Sequence, residues 1–246
     1  MLREVGKIVY GALLSPTAKA IQRDRLTFLS AEKLFSLERE CRRVERAGIG
    51  GDFVEFGVAL GGSAIVLAKR MGPARRFHGF DVFGMIPPPT SEKDDEKSRR
   101  RYEVIKSGRA RGTGSVVYYG YRENLLAEVK SHLATYDIPV DQDRVSLHKG
   151  LFEDTWPAVA TKIHQIALAH VDCDWYDPVK YCLDAIAEKI APRGYVILDD
   201  YNFYAGCRTA TDEFVRLRND FQVARDFGHL VIRRKLDSNG LERDRC

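Results

Sequence analysis

The chain has 246 residues, 44% hydrophobic and 30% charged, with 39 basic against 35 acidic side chains and a net charge of +4. At about 150 residues per domain this is one large domain, or one domain with additions, and it is long enough to build a core without disulfide or zinc staples. The composition excludes global disorder, collagen-like sequence and coiled coil, and so small a basic excess gives no ground for a nucleic-acid partner.

At the N-terminus, Leu2, Val5, Ile8, Val9 and Leu13 recur at helical spacing. They predict a short helix packed on the body or on a partner subunit. Glu4 and the brevity of the apolar run argue against a signal peptide. No stretch approaches the roughly 20 apolar residues of a membrane span, so no membrane partner is expected. Ser30 is placed to cap an amphipathic helix over 31–47, in which Leu34, Leu37, Cys41 and Val44 share a face. Residues 53–58 read as a strand, Gly61 and Gly62 open a helix over 63–71, and 77–80 form a second strand ending at Asp81.

From Gly84 to about Gly120 the pattern breaks into Pro87-Pro88-Pro89, a charge run from Glu92 to Arg101, and scattered glycines. A segment of this kind is usually a functional loop or an insertion, here with room for charged helical turns over 92–105. Alternation then resumes: helix 123–136, strand 144–149, helix 156–163, strand 165–171, helix 178–190, strand 195–199, helix 208–218. Residues 221–226 and 230–234 flank Gly228 as a hairpin, and the tail is polar.

Strands alternating with helices predict an α/β fold. It is a doubly wound, mostly parallel sheet with an antiparallel C-terminal hairpin, plus N-terminal helices. The expected division is an N-terminal helical extension over 1–48, the main domain over 49–235 with an insertion at about 84–121, and a tail over 236–246. The five cysteines, Cys41, Cys173, Cys182, Cys207 and Cys246, form no C-x-x-C pair. Their odd count and wide spacing point to a reducing cytoplasm.

Ligands of doubly wound sheets sit beyond the carboxyl ends of the strands. Those ends carry Glu55 and Gly57, then Asp81, Gly150, Asp172 and Asp174, and finally Asp199 and Asp200. The turn after the first strand has the spacing G-x-x-x-G-G, with Glu55 two places before the first glycine. A pyrophosphate would not favour that carboxylate, whereas a methionyl amino group would. Asp81 follows Gly57 by 24 residues and suits ribose hydroxyls. Together these favour S-adenosylmethionine over a nicotinamide cofactor, although a plain tight turn has similar glycines. Paired aspartates at two strand ends suit a hard divalent cation such as magnesium. They would also serve as helix caps. No histidine and cysteine cluster has zinc-like spacing.

Several segments, taken in order, resemble the macrocin O-methyltransferase family of S-adenosylmethionine-dependent sugar methyltransferases from antibiotic biosynthesis. They are Gly51-Asp-Phe-Val-Glu-Phe-Gly-Val, Gly61-Gly-Ser63, Gly79-Phe-Asp81-Val-Phe83, Lys149-Gly-Leu-Phe152-Glu-Asp-Thr155, His170-Val-Asp-Cys-Asp-Trp-Tyr176, Asp199-Asp-Tyr201 and Gly206-Cys-Arg208. The resemblance implies a class I methyltransferase fold and a divalent metal, usually magnesium. Its implied metal ligands are Asp172, Asp199 and Asp200, and its implied general base is Asp174. Glu55, Gly57, Gly61 and Ser63 would hold the methionyl end, with Asp172 beside it. Asp81 would bind ribose, and Gly150 and Phe152 would border the adenine. Trp175, Tyr176, Tyr201 and Arg208 are candidates for the acceptor, expected to be a small-molecule glycoside, and His229 reads as structural. The family's D-x-F-x-G-x-P run is altered here, since Gly84 comes one place early and Met85 follows. The insertion from Glu92 to Tyr121 also differs, so the acceptor pocket should differ with it. A catechol-type phenol methyltransferase and a silent S-adenosylmethionine-binding module are the alternatives. A homo-oligomer is expected.

Overall fold

The computed structural model describes residues 9–114 and 116–236. Leu2, Val5, Ile8, the tail beyond 236 and Cys246 therefore lie outside the described residues. Residues 9–13 are helical, and helices α1 (Pro16–Arg23) and α2 (Ala31–Arg46) come next. They are followed by β1 (Asp52–Phe56), α3 (Gly62–Arg70), β2 (Phe77–Asp81), α4 (Glu96–Lys106), α5 (Leu125–Thr135) and β3 (Val145–Lys149). The chain continues with α6 (Phe152–Ala160), β4 (Ile166–Val171), α7 (Tyr176–Ile186), β5 (Ile190–Leu198), α8 (Ala205–Leu217), β6 (Phe221–Phe227) and β7 (His229–Arg234).

The seven strands form one sheet in the order β3-β2-β1-β4-β5-β7-β6. Its first five members are parallel, and β7 pairs antiparallel with both β5 and β6. This is the doubly wound sheet with a C-terminal hairpin that the alternation predicts. The central strand β4 is buried along its whole length, as its unbroken apolar run requires.

Successive side chains on a strand point to opposite faces, and the two cores follow that rule. Phe53, Leu168, Ile197 and Val231 join Leu34, Leu37, Ile65 and Leu133 beneath α2, α3 and α5. Val54, Phe56, Ala169, Val171 and Leu198 join Trp156, Val179, Leu183 and Phe214 beneath α6, α7 and α8. Helices α1 and α2 thus belong to the first core, through Ile21, Leu34 and Leu37. Ser15 and Ser30 cap them by accepting the N–H groups of Ala18 and Lys33.

Several boundaries differ from the sequence expectation; the helix expected over 156–163 runs Phe152–Ala160, and that over 208–218 runs Ala205–Leu217. The helix over 178–190 stops at Ile186, and β5 begins at Ile190 rather than 195. Pro192 and Gly194 sit in a bulged strand with Arg193 at φ 67°. The insertion carries a full helix, α4, capped by Asp95, whose side chain accepts the Ser98 N–H.

On the β2–β3 edge, His78 Nδ1 and His148 Nε2 lie 3.4 Å apart. Burial, joined by the charges of Arg76 and Lys162, pushes His78 down to about 4. Burial, with His78 and Lys162, does the same to His148. Both rings are neutral in the folded protein and take up protons near pH 6.5 only when it unfolds. Stability that is present above pH 6.5 is therefore lost as pH falls toward 4, by about 2 kcal/mol per ring after allowance for partial exposure. His148→Phe is expected to remove roughly half of that loss, as read from urea midpoints between pH 4 and 7.

Candidate active site

The turn between β1 and α3 is built on glycine. Gly57 has φ +91°, and a Cβ there would lie 1.8 Å from the Asp172 carbonyl oxygen. The strand ends of β1 and β4 meet so closely that no side chain fits. Gly61, at φ 90°, precedes α3 without a side-chain cap. A cleft of about 30 Å³ opens at this point, lined by residues 26–29 and 58–60 with Gly62, Ser63 and Asp172. Ser63 and Asp172, two of the residues expected at the methionyl end, therefore share one cavity wall.

Asp81 shapes the same turn. Its Oδ2 accepts the N–H groups of Val58 and Ala59 at 2.8 and 2.9 Å, and its Oδ1 accepts that of Phe83 at 2.6 Å. Burial still raises its pKa against those three donors. Gly150 donates to the Asp81 carbonyl at 3.0 Å. Phe152 stands edge-on to Phe56 at 5.3 Å and packs against the second core.

A row of polar side chains crosses the first face just below the strand ends. Glu55 and His170 are register partners, and Glu55 Oε1 is 2.8 Å from His170 Nδ1. His170 Nε2 is 3.7 Å from Asp199 Oδ1, and His229 Nδ1 is 3.6 Å from the same oxygen. Lys33 Nζ, from the first turn of α2, donates to Asp199 Oδ2 at 2.5 Å and to the Asp199 carbonyl at 2.8 Å. Burial alone would lower the His170 pKa, but the carboxylates of Asp199 and Glu55 raise it to about 9. Burial would raise Asp199, yet His170, His229 and the Lys33 ammonium hold it well below the usual carboxylate range. Glu55 Oε2 is buried and has no hydrogen-bond partner among the described residues.

Asp200 points away from this row, because consecutive strand residues alternate. Its Oδ2 accepts the N–H of Asp174, at φ 61°, over 3.3 Å. One carboxylate oxygen from each of Asp172, Asp174 and Asp200 lies within 4.8 Å of the others. A second such group joins Asp172 to His170 and Asp199. The set implied by the resemblance is thus split: Asp172 stands between Asp200, which groups with Asp174, and Asp199, which is held by Lys33. Burial, with Asp199 and Asp200 nearby, pushes Asp172 well up. Burial and Asp200 do the same to Asp174, while Arg101 opposes. Three carboxylates of hard oxygen donors, Asp200 buried and Asp172 and Asp174 half-buried, fit a divalent cation that would relieve their repulsion.

The acceptor candidates are placed differently from expectation. Trp175 is 2% exposed and its Nε1–H donates to the Pro87 carbonyl at 3.0 Å. Tyr176 is 6% exposed; its hydroxyl donates to Glu213 at 2.6 Å and accepts from Lys93 at 2.7 Å, and its backbone N–H donates to Asp94. Both residues anchor the insertion onto α7 and α8 rather than presenting a free ring. Tyr201 donates its hydroxyl to Asp212, and Arg208 donates to the Tyr201 carbonyl while lying 5.4 Å over its ring. The insertion itself brings Arg101, 5.7 Å over the Tyr118 ring, and Tyr119 toward Asp174. Sequence reasoning missed these residues because an aperiodic segment carries no facing signal. It missed Lys33 because an amphipathic helix explains a lysine on its own.

A family model described as Macrocin-O-methyltransferase (TylF) matches residues 17–229. The chain is 28% identical to the 8-demethyl-8-(2,3-dimethoxy-alpha-L-rhamnosyl)-tetracenomycin-C 4'-O-methyltransferase of Streptomyces olivaceus, over 76% of this chain and 67% of that one. It is 25% identical to the mycinamicin III 3''-O-methyltransferase of Micromonospora griseorubida, over 76% and 69% of the two chains. Among solved structures, the O-methyltransferase NovP superposes with a TM-score of 0.68 at 23% identity, covering 86% of this chain and 82% of that one. An O-methyltransferase from Bacillus cereus, solved in complex with SAH, superposes with a TM-score of 0.61 at 11% identity, covering 94% and 97%. At these identities the structural likeness speaks for the fold.

Proposed function

The chain belongs to the macrocin-O-methyltransferase family, S-adenosylmethionine-dependent O-methyltransferases, and from that premise we propose that it methylates a sugar hydroxyl of a glycosylated natural product with the help of a divalent cation. The observation that carries this reading is the junction at Asp172. Its backbone packs against Gly57 of the glycine turn, its side chain groups with Asp174 and Asp200, and it lines the cleft that holds Ser63. The two relatives named for rhamnosyl and mycinamicin acceptors support the choice of a sugar.

S-adenosylmethionine would supply the methyl group on a sulfonium centre, with no need for a covalent enzyme intermediate. Ser63, Gly57, Gly61 and the uncapped start of α3 would receive its methionyl end. Glu55, with one buried oxygen free of donors, would supply the anion for the amino group. Asp81 would meet the ribose, and Gly150 and Phe152 would border the adenine. A divalent cation such as magnesium, when bound, would lower the pKa of an acceptor hydroxyl and orient it. Asp172, Asp199 and Asp200 are the carboxylates that would hold it, with Asp174 beside them. Asp174 would accept the hydroxyl proton as the methyl moves. Holding the nucleophile in line with the methyl carbon contributes further, through orientation alone.

The insertion over 84–121 would wall the acceptor pocket through Arg101, Tyr118 and Tyr119, with the anchored Trp175 and Tyr176 behind it and Tyr201 and Arg208 at its rim. The reading also carries a cytoplasmic setting, in which Cys41, Cys173, Cys182 and Cys207 stay free thiols. No helix among the described residues is long and apolar enough to cross a membrane. Self-association would use the N-terminal apolar face, where Val9 and Leu13 are 48% and 56% exposed, and light scattering would read it. The function itself is tested with S-adenosylmethionine and a panel of rhamnosyl glycosides and catechols, with magnesium or with EDTA. Magnesium-dependent methylation of a glycoside is expected. Transfer to catechols alone, or full activity in EDTA, would remove the acceptor or the metal from this account.

A further inference from the structure

Helices α7 and α8 begin without a side-chain cap of their own. Each follows a loop that carries strand-end carboxylates, Asp172 and Asp174 before α7, Asp199 and Asp200 before α8. The first N–H groups of a helix have no partner within it and need an acceptor from outside. Asp94 of the insertion, 82 residues before Tyr176, supplies one. It is 3% exposed, and its Oδ1 accepts the Tyr176 N–H, the first of α7, at 2.9 Å. The same oxygen touches the first turn of α8. A Cβ on Gly206, the second residue of α8, would lie 1.9 Å from that oxygen and 2.7 Å from the Tyr176 nitrogen. Only a glycine there lets both helix starts close on one carboxylate. The insertion itself makes no use of that side chain: Asp94 Oδ2 is buried and has no hydrogen-bond partner among the described residues.

We propose that Asp94 is a positioning residue for methyl transfer: one carboxylate, buried between the starts of α7 and α8, locks the insertion onto the two loops that carry Asp174 and Asp200. This rests on the function proposed above, in which Asp174 takes the acceptor's proton. A helix dipole favours an anion at its N-terminus, and here one anion serves two helices. Asp174 sits at φ 61°, left-handed backbone that persists only where its surroundings hold it. Asp94 holds the chain two residues further on. Around it, Thr90 donates to Asp177 at 2.7 Å and Lys93 to Glu213 at 2.7 Å, but these pairs are exposed and tie side chains alone.

Hydrogen exchange read by mass spectrometry tests the shared cap on the full chain without any turnover. In Asp94→Ala, peptides of the insertion and of the starts of α7 and α8 are expected to exchange about tenfold faster or more, all three together, while β1 and its turn keep the parent's rates. Gly206→Ala, which displaces the carboxylate from the other side, is expected to repeat the pattern and stands in for Asp94→Ala should that variant not fold. Acceleration confined to the insertion overturns the inference. In methyl transfer, Asp94→Ala is expected to lower kcat about thirtyfold or more, with affinity for S-adenosylhomocysteine within about twofold of the parent. Asp94→Asn keeps an accepting oxygen and is expected to restore most of the rate. A rate loss matched by lost S-adenosylhomocysteine affinity, or no rescue in Asp94→Asn, would make Asp94 a purely structural residue and overturn its positioning role. If the parent chain methylates no acceptor, the proposed function fails, and the exchange rates alone decide whether Asp94 holds the two loops.

Discussion

Asp172→Asn is expected to lower methyl transfer by about a thousandfold and, in the same protein, to raise the melting temperature. The first effect follows from its place in the cluster. Asp172 is the carboxylate common to both groups of ligand atoms, so losing its charge removes the site's central donor. Metal assistance of this kind is worth several kcal/mol, and about 4 kcal/mol corresponds to a thousandfold in rate. The second effect follows from the direction of its pKa. Burial and the nearby Asp199 and Asp200 push Asp172 well up. A carboxyl raised in the folded state binds its proton more tightly there, so ionising it costs stability as pH rises above the ordinary carboxylate range. The amide cannot ionise and escapes that cost. Steady-state rates with saturating glycoside and a thermal melt at pH 7.5 check both. A lost rate with a lowered melting temperature would mean that Asp172 is only structural.

Gly57→Ala is expected to be nearly as damaging for a different reason. The added methyl would lie 1.8 Å from the Asp172 carbonyl oxygen and 2.8 Å from its carbon, at a φ of +91°. Either β1 or β4 must move, and the carboxylates at their ends move with them. A strained backbone plus a core clash costs about 3 kcal/mol or more, which for a chain of this size lowers the melting temperature by roughly 6–12 °C. Affinity for S-adenosylhomocysteine, measured by calorimetry, is expected to fall at least about tenfold. An alanine variant with unchanged melting and affinity would show that the close approach of the two strands is not needed.

The legible part of the site was the part that sits at strand ends. Glu55, Asp81, Asp172, Asp174, Asp199 and Asp200 can be found by asking which residues finish a buried strand, and the glycine turn by its spacing. The alternation of side chains, which sorts Asp199 from Asp200, is also a local rule. Its consequence here, though, depends on what each face meets. Lys33 is 166 residues from Asp199, and nothing in α2 distinguishes it from any lysine on an amphipathic helix. His229, which reads as a structural residue of the hairpin, turns its ring toward Asp199 because β7 runs antiparallel beside β5. In the sequence, Trp175 and Tyr176 follow Asp174 and read equally as rings for the acceptor or as packing at the start of a helix. They are anchors because Pro87, Lys93 and Asp94 of the insertion dock there.

By itself the sequence determined the layered sheet, the strand that carries each carboxylate and the turn beside them, because apolar periodicity and glycine spacing act within a few residues. Only the tertiary structure decided which carboxylates share a centre, which one is neutralised by a lysine and which aromatics are free. Those outcomes depend on charges and surfaces brought together from distant parts of the chain, where burial makes an unpaired ion costly and a partnered one stable.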